Sequence, residues 1–253
     1  MDEFSDLNSK EKECAQILRL ICGSDKASWM KMMVAGYSLN SQELQSILGE
    51  HHLLSVTGRQ HTLERCQITS SGDIESVLGI ATRLTTAALR RGSDYTGNVM
   101  VFLPGWREML IVQKDLLQNF PNLIVLLLHS EMIGDDNQEQ VVLSDETGPM
   151  VVLSTVIGAR SVFLRVMKYV IIHPQMRCSF VHASEITRIR DCLVSQELEG
   201  NMAGRAGRES DGLVTKICMP HSASGQGHPL IDDSAQASEY MLQYLEQYWY
   251  SKH

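Results

Sequence analysis

Asn201-Met202-Ala203-Gly204-Arg205-Ala206-Gly207-Arg208 is the stretch on which the reading of this chain turns. Arg205 and Arg208 stand three apart, a spacing that puts two side chains on one face of a helix or helical turn. Gly204 and Gly207 lie beside them, and glycine lets a second backbone or a ligand come close. The pattern suits a fork of guanidinium groups aimed at a phosphate across an interface. A basic surface turn has the same letters, and short motifs match by chance. What lies upstream has to decide.

Upstream, apolar runs alternate with amphipathic stretches. Asp73 to Arg91 repeats Ile74, Val77, Leu78, Ala81, Leu84 and Ala88 at helical spacing. Val99 to Leu103 is a continuous apolar run, as a strand buried on both faces of a parallel sheet requires. A helix from Arg107 to Asn119, a strand from Leu123 to Leu128, a short helix from Asp136 to Val142, and strands from Met150 to Ser154 and Val166 to Ile172 follow. Glu185 to Gln196 and Leu198 to Ala203 read as helices, and Leu213 to Cys218 as a last strand. Short loops between alternating strands and helices predict a doubly wound α/β sheet. Before this region come helices through Cys14–Ile21 and Ser41–Leu48, and strands at Met30–Ala35 and Leu53–Val56. After it, Pro220 to Asp233 reads as a loop. Ala235 to Tyr250 reads as a helix with Met241, Leu242, Leu245 and Trp249 on one side.

Composition excludes some classes of function. A net charge of −8 over 253 residues argues against a generic, charge-driven nucleic-acid binder, though not against a local groove. Six cysteines without a C-x-x-C pair predict reduced, buried thiols in an intracellular chain. Histidines show no metal-ligand spacing, Asp135-Asp136 reads as a solvated turn, and no metal site is expected. No apolar run is long enough to span a membrane, and Met1-Asp2-Glu3 opens no signal peptide. A cytoplasmic protein without membrane contact is the expectation.

Outward from the arginines, the chain resembles the DEAH/RHA branch of DExH-box RNA helicases. Phe102-Leu103-Pro104-Gly105-Trp106 resembles the family's F-L-P-G-x strand end, and Leu128-His129-Ser130 its L-H-S block. Leu153-Ser154-Thr155 through Ser161 stands where motif V belongs, and Asn201 to Arg208 is similar to motif VI, Q-R-x-G-R-A-G-R. One block is weak, whereas four in order are specific. The resemblance implies a RecA-like helicase C-terminal domain preceded by an incomplete first RecA-like domain. It implies boundaries of 1–70 for that remnant, from motif II onward, 71–220 for the second domain, and 221–253 for a linker and terminal helix. In the remnant, Asp2-Glu3-Phe4-Ser5 stands in place of D-E-A-H, Val34-Ala35-Gly36 in place of S-A-T, and Thr57-Gly58-Arg59 resembles the P-G-R that follows.

The departures from the family are chemically pointed. A helicase NTP site needs a glycine-rich phosphate loop with a lysine ahead of motif II. This sequence begins at motif II. Ser5 replaces the motif II His; Val156, Ala159 and Arg160 replace the Asn, Glu and Thr of motif V; Asn201 and Met202 replace the Gln and first Arg of motif VI. The implied nucleotide-binding remnant is Asp2, Glu3, Gly204, Arg205 and Arg208, the two arginines matching γ-phosphate fingers. A carboxylate-pairing role at a domain interface is the other reading of those arginines. RNA-binding candidates are Gly105, which would leave room for a sugar-phosphate backbone, and Ser130 and Thr155, whose hydroxyls would meet phosphates. Trp106 reads as packing or as a base-stacking residue.

Polar groups missing from motifs II, III, V and VI together imply an NTP site released from catalytic demand. The expectation is a degenerate helicase-like protein, of the kind found among insect germline regulators. It would bind RNA, protein partners or both, without robust NTPase activity and without a confident cofactor. Two alternatives stand beside it: a fragment of an active ATP- and Mg²⁺-dependent RNA helicase, and a protein–protein scaffold without RNA binding.

Overall fold

The computed structural model describes residues 9–22, 31–35, 41–56, 61–70, 74–90, 98–129, 150–159, 167–181 and 187–219. The expected helices at 136–142 and 235–250 and the expected loop at 220–233 lie outside these residues. The chain divides into two compact units. One comprises Met1–Val56, Cys178–Arg190 and Pro229–His253; the other comprises Thr57–Arg177 and Asp191–His228.

In the first unit, helix α1 (Ser9–Cys22) packs on α2 (Ser41–Leu48) through Ala15 and Leu44, with Val34 and Leu48 against them. Gly49 ends α2 with a φ of 67°, the left-handed conformation that glycine adopts without strain, and its N–H donates to the Gln45 carbonyl at 2.9 Å. The strands expected at Met30–Ala35 and Leu53–Val56 do not form among the described residues. Leu54 and Val56 are 86% and 87% exposed. Apolar letters alone do not make a strand where no neighbouring strand accepts the ladder.

The second unit is built on a six-stranded parallel sheet. In chain order it contains β1 (Leu63–Thr69), α3 (Ile74–Leu89), β2 (Asn98–Phe102), α4 (Trp106–Asn119), β3 (Ile124–Leu128) and β4 (Met150–Ser154). A 3₁₀ turn (Val156–Ala159), β5 (Met167–Ile172), α5 (Gln196–Ala203) and β8 (Gly212–Cys218) follow. The strand order is β1-β8-β5-β2-β4-β3, and every pairing is parallel. Between β5 and α5, strands β6 (Gln175–Val181) and β7 (Thr187–Leu193) form a separate two-stranded sheet. That sheet corrects the helix expected from Glu185 to Gln196: among the described residues of that stretch, only Gln196 belongs to a helix, as the first residue of α5.

Side chains alternate across the central strands. Val99, Val101 and Leu103 face α3 and α4 in one core, with Val77, Ala81, Met109, Val112 and Leu116. Met100 and Phe102 face the opposite core, with Met202, Ala203, Ala206 and Ala159. A strand buried on both faces can be apolar at every position, which accounts for the unbroken Val99–Leu103 run. The doubly wound α/β expectation is what the chain forms.

Two further observations bear on the expected boundary at residue 70 and on the cysteines. β1, which a boundary at residue 70 assigns to the preceding domain, pairs with β8 along its whole length, from Leu63 opposite Gly212 to Thr69 opposite Cys218. The cysteines are not uniformly buried: Cys14 and Cys66 are exposed thiols, and Cys66 Sγ lies 3.0 Å from Thr215 Oγ1.

Candidate functional site

All six strands run in one direction, so their C-terminal ends share one edge of the sheet. In open α/β sheets that edge is where ligands bind. Here it carries the residues after β2, β3, β4 and β5, whereas the arginine turn that follows α5 leads into the start of β8, at the opposite edge of the sheet.

The arginine turn is built from its glycines. Ser195 caps α5, its Oγ accepting from the Leu198 N–H at 3.2 Å. The helix ends at Ala203, and Gly204 holds its last turn with an N–H to the Gly200 carbonyl at 2.9 Å. Gly207 has a φ of 71° and turns the chain back toward β8. A Cβ on Gly212 would lie 2.7 Å from the Gly207 nitrogen, so the bare α-carbon lets the turn seat against the start of β8.

This turn separates the two arginines. Arg205 is 5% exposed, and its guanidinium Nη2 donates to the Ala159 carbonyl in the 3₁₀ turn. Arg208 is exposed, and its Nε donates to the Gly204 carbonyl at 2.9 Å. They do not form the outward fork expected from their spacing, because α5 has ended before Arg205. Met202, standing where the family has its first motif VI arginine, is fully buried in the core. Asp2 and Glu3 lie outside the described residues, as do Ser5, Arg160 and Ser161. Within the described part of the nucleotide remnant, Arg205 is turned inward to a backbone carbonyl while Arg208 is exposed.

The 3₁₀ turn is tightly packed. Ser154 Oγ donates to the Thr155 carbonyl at 2.8 Å and accepts from the Gly158 N–H at 3.1 Å. A Cβ on Gly158 would come within 2.9 Å of Ser154 Cβ, so glycine lets the turn close on the end of β4. Thr155 follows directly, its N–H donating to the Leu128 carbonyl at 3.2 Å, with its side chain half-buried at the end of β4. Ser130, its expected partner in phosphate contact, lies outside the described residues.

Gly105 is buried rather than open. A Cβ there would meet Arg177 Nη1 at 2.4 Å and Glu108 Oε2 at 3.2 Å. The room expected for a sugar-phosphate backbone is occupied here by the Arg177 guanidinium. Arg177 bridges Glu108 Oε1 at 3.2 Å and Asp191 Oδ1 at 3.3 Å. Burial works against its charge, but Glu108 and Asp191 outweigh that and raise its pKa. Beside them, His173 is fully buried, with Nδ1 3.0 Å from the Gln175 carbonyl and 3.1 Å from its nitrogen. Desolvation lowers its pKa to about 4, against smaller opposing effects of the Gln175 carbonyl, Glu108 and Asp191. Sequence reading missed this group because its members pair across 69 and 14 positions, with no local motif.

At the other side of β2, Trp106 opens α4 and His129 follows β3. Their rings meet edge to face, with centroids 5.7 Å apart and planes at 65°. Trp106 remains 36% exposed, whereas Leu103, three residues earlier, is fully buried.

Among the described residues, no group of three or more His, Cys, Asp or Glu is placed to hold a metal ion. No helix among them is long and apolar enough to cross a membrane.

No family model matches this chain, and no curated protein matches it. Solved structures do. The crystal structure of the E. coli DExH-box NTPase HrpB is similar at a TM-score of 0.70 and 22% identity, over 91% of this chain and 28% of HrpB. A second, of the E. coli DEAH/RHA helicase HrpB, is similar at 0.69 and 23%, over 87% of this chain and 28% of that one. The chain thus spans little more than a quarter of the length of these neighbours. Parallel topology and these likenesses converge on one architecture: a RecA-like α/β fold, similar to that of these neighbours.

Proposed function

We propose that this chain is a degenerate helicase-like protein that binds single-stranded RNA across the C-terminal edge of its second-unit sheet and lacks robust NTPase activity. The observation that carries the proposal is the contrast between the arginine turn and that edge. Arg205, the family's phosphate finger, is turned into the protein's own core. Thr155 and the Trp106–His129 pair, by contrast, reach the sheet end at partly exposed positions. Contacts to phosphate and base faces carry little sequence information, so binding is expected to be sequence-tolerant. The degraded motifs are similar to those of germline regulators such as the benign gonial cell neoplasm protein. A role in RNA regulation, with protein partners and a cytoplasmic location, follows from that resemblance. Asp2, Glu3, Gly204, Arg205 and Arg208 are read as the remnant of a nucleotide site without robust turnover.

Two measurements test the proposal together. Titration of labelled single-stranded RNA should give weak binding that a Ser130→Ala, Thr155→Val double variant weakens further. ATP hydrolysis, with and without RNA, should stay at background. RNA-stimulated hydrolysis that vanished in Arg208→Ala would favour an active helicase. No RNA binding at all would favour a protein scaffold.

A further inference from the structure

The Trp106–His129 pair has a chemistry that phosphate binding does not use. We propose that Trp106, braced by His129, is a stacking platform for one nucleobase of single-stranded RNA. This rests on the RNA-binding reading above and specifies how that site gains affinity.

Position comes first. Trp106 follows β2 and His129 follows β3, while β4 lies between those strands in the sheet. The two rings therefore meet across the end of β4, where Thr155 leaves the sheet. A chain crossing the sheet end would meet a hydroxyl and an aromatic surface at the same place.

Geometry is the second argument. An edge-to-face contact covers at most one face of the indole. Trp106 keeps 36% of its surface exposed beside that contact. Leu103, Pro104 and Gly105 before it and Glu108 and Met109 after it are buried, while Arg107 beside it is exposed as well. The loop is anchored on both sides, and the tryptophan leaves the surface at a fixed point. Contact with His129 limits the rotation of the ring, so less freedom remains to be lost on binding.

Energetics is the third. With a net charge of −8, counterion release is a poor source of affinity for this chain. Stacking does not depend on charge and accepts every base, since every base has a π-face. One stacked base is worth on the order of ten- to a hundredfold in affinity. A platform only partly exposed belongs at the low end, about tenfold.

The experiment compares a single-stranded RNA oligonucleotide with an abasic oligonucleotide of the same length and backbone. Both are titrated against the full chain and its Trp106→Ala, Trp106→Phe and His129→Ala variants, with folding checked by circular dichroism. The wild type should prefer the base-bearing oligonucleotide by about tenfold. Trp106→Ala should abolish the preference without changing abasic binding, Trp106→Phe should keep most of it, and His129→Ala should reduce it. In a Trp29→Phe, Trp249→Phe background, the base-bearing oligonucleotide should quench the remaining indole emission and the abasic one should not. Equal wild-type affinity for the two oligonucleotides, or a preference that survives Trp106→Ala, overturns the platform while leaving RNA binding intact. If neither oligonucleotide binds, the RNA-binding reading fails and the platform with it.

Discussion

Arg205 and Arg208 are three residues apart and have opposite surroundings, because Gly204 and Gly207 bend the chain between α5 and β8. A buried guanidinium bonded to a carbonyl should respond strongly to truncation, and an exposed one hardly at all. Arg205→Ala is expected to cost about 2 kcal/mol, a hydrogen bond from a charged donor plus its packing. Arg208→Ala should stay within about 0.5 kcal/mol, as surface changes do. Urea unfolding of the two variants measures both; equal losses would mean that Arg205 is less committed to the Ala159 carbonyl than its geometry indicates. His173 supplies a second test at this scale. Its folded pKa lies near 4 and its ordinary value is 6.5, so between those values the unfolded chain binds the extra proton. Stability from this residue is therefore present above pH 6.5 and lost as pH falls toward about 4, by roughly 3 kcal/mol in all. The difference in unfolding free energy between wild type and His173→Leu should shrink across that window. A pH-independent difference would show that His173 titrates normally.

The base of the β6–β7 hairpin is tied to the start of α4 by charges of unequal burial. Arg177 has a side chain 37% exposed, whereas Glu108 has 11%. Removing the exposed partner strands the buried one, which is the costly direction. Arg177→Ala is thus expected to destabilise by about 1 kcal/mol after allowance for solvent screening, more than Glu108→Gln, and the double variant less than the sum. Additive losses would show that the two do not interact. The same hairpin shows where sequence is informative about elements and where it is not. The buried central strands were legible because two-sided burial demands continuous apolar runs. β7, Thr-Arg-Ile-Arg-Asp-Cys-Leu, mixes charges with apolar residues and imitates a helical face; only its pairing with β6 makes it a strand. β1, Leu-Glu-Arg-Cys-Gln-Ile-Thr, was missed for a related reason. It lies at the sheet edge, four of its seven central and flanking side chains face solvent consecutively, and its one partner is about 150 residues away. The site divides the same way. Thr155 and Trp106 were visible in local motifs, whereas the inward turn of Arg205 and the occlusion of Gly105 depend on contacts to Ala159 and Arg177, remote in sequence.

At the scale of the whole molecule, the question is where the sheet-bearing unit begins. The motif-based boundary places it after residue 70, whereas the contact pattern begins the unit at Thr57. The difference is β1, and it is a physical one. β1 covers the edge of β8 over seven residue pairs, and Leu63 packs against the same core as Met202 and Val214. Reciprocal bonds close its start: the Thr62 N–H donates to Asp211 Oδ1 at 2.7 Å, and the Gly212 N–H donates to the Thr62 carbonyl at 2.9 Å. Those bonds sit where the arginine turn enters β8, so β1 also fixes the turn that carries Arg205 and Arg208. No described residue before Thr57 is among those of either core of the sheet. A truncation beginning at Thr57 should therefore fold and melt within a few degrees of the full chain. One beginning at Ser71 should lose about 3 kcal/mol from the half-buried Leu63 and Ile68 alone, and leave β8 as a bare edge prone to association. Thermal unfolding and size-exclusion chromatography of the two truncations decide the matter. Equal stability would return the boundary to residue 70 and make β1 an accessory strand. Failure of the Thr57 truncation to fold would show that the second unit needs the first.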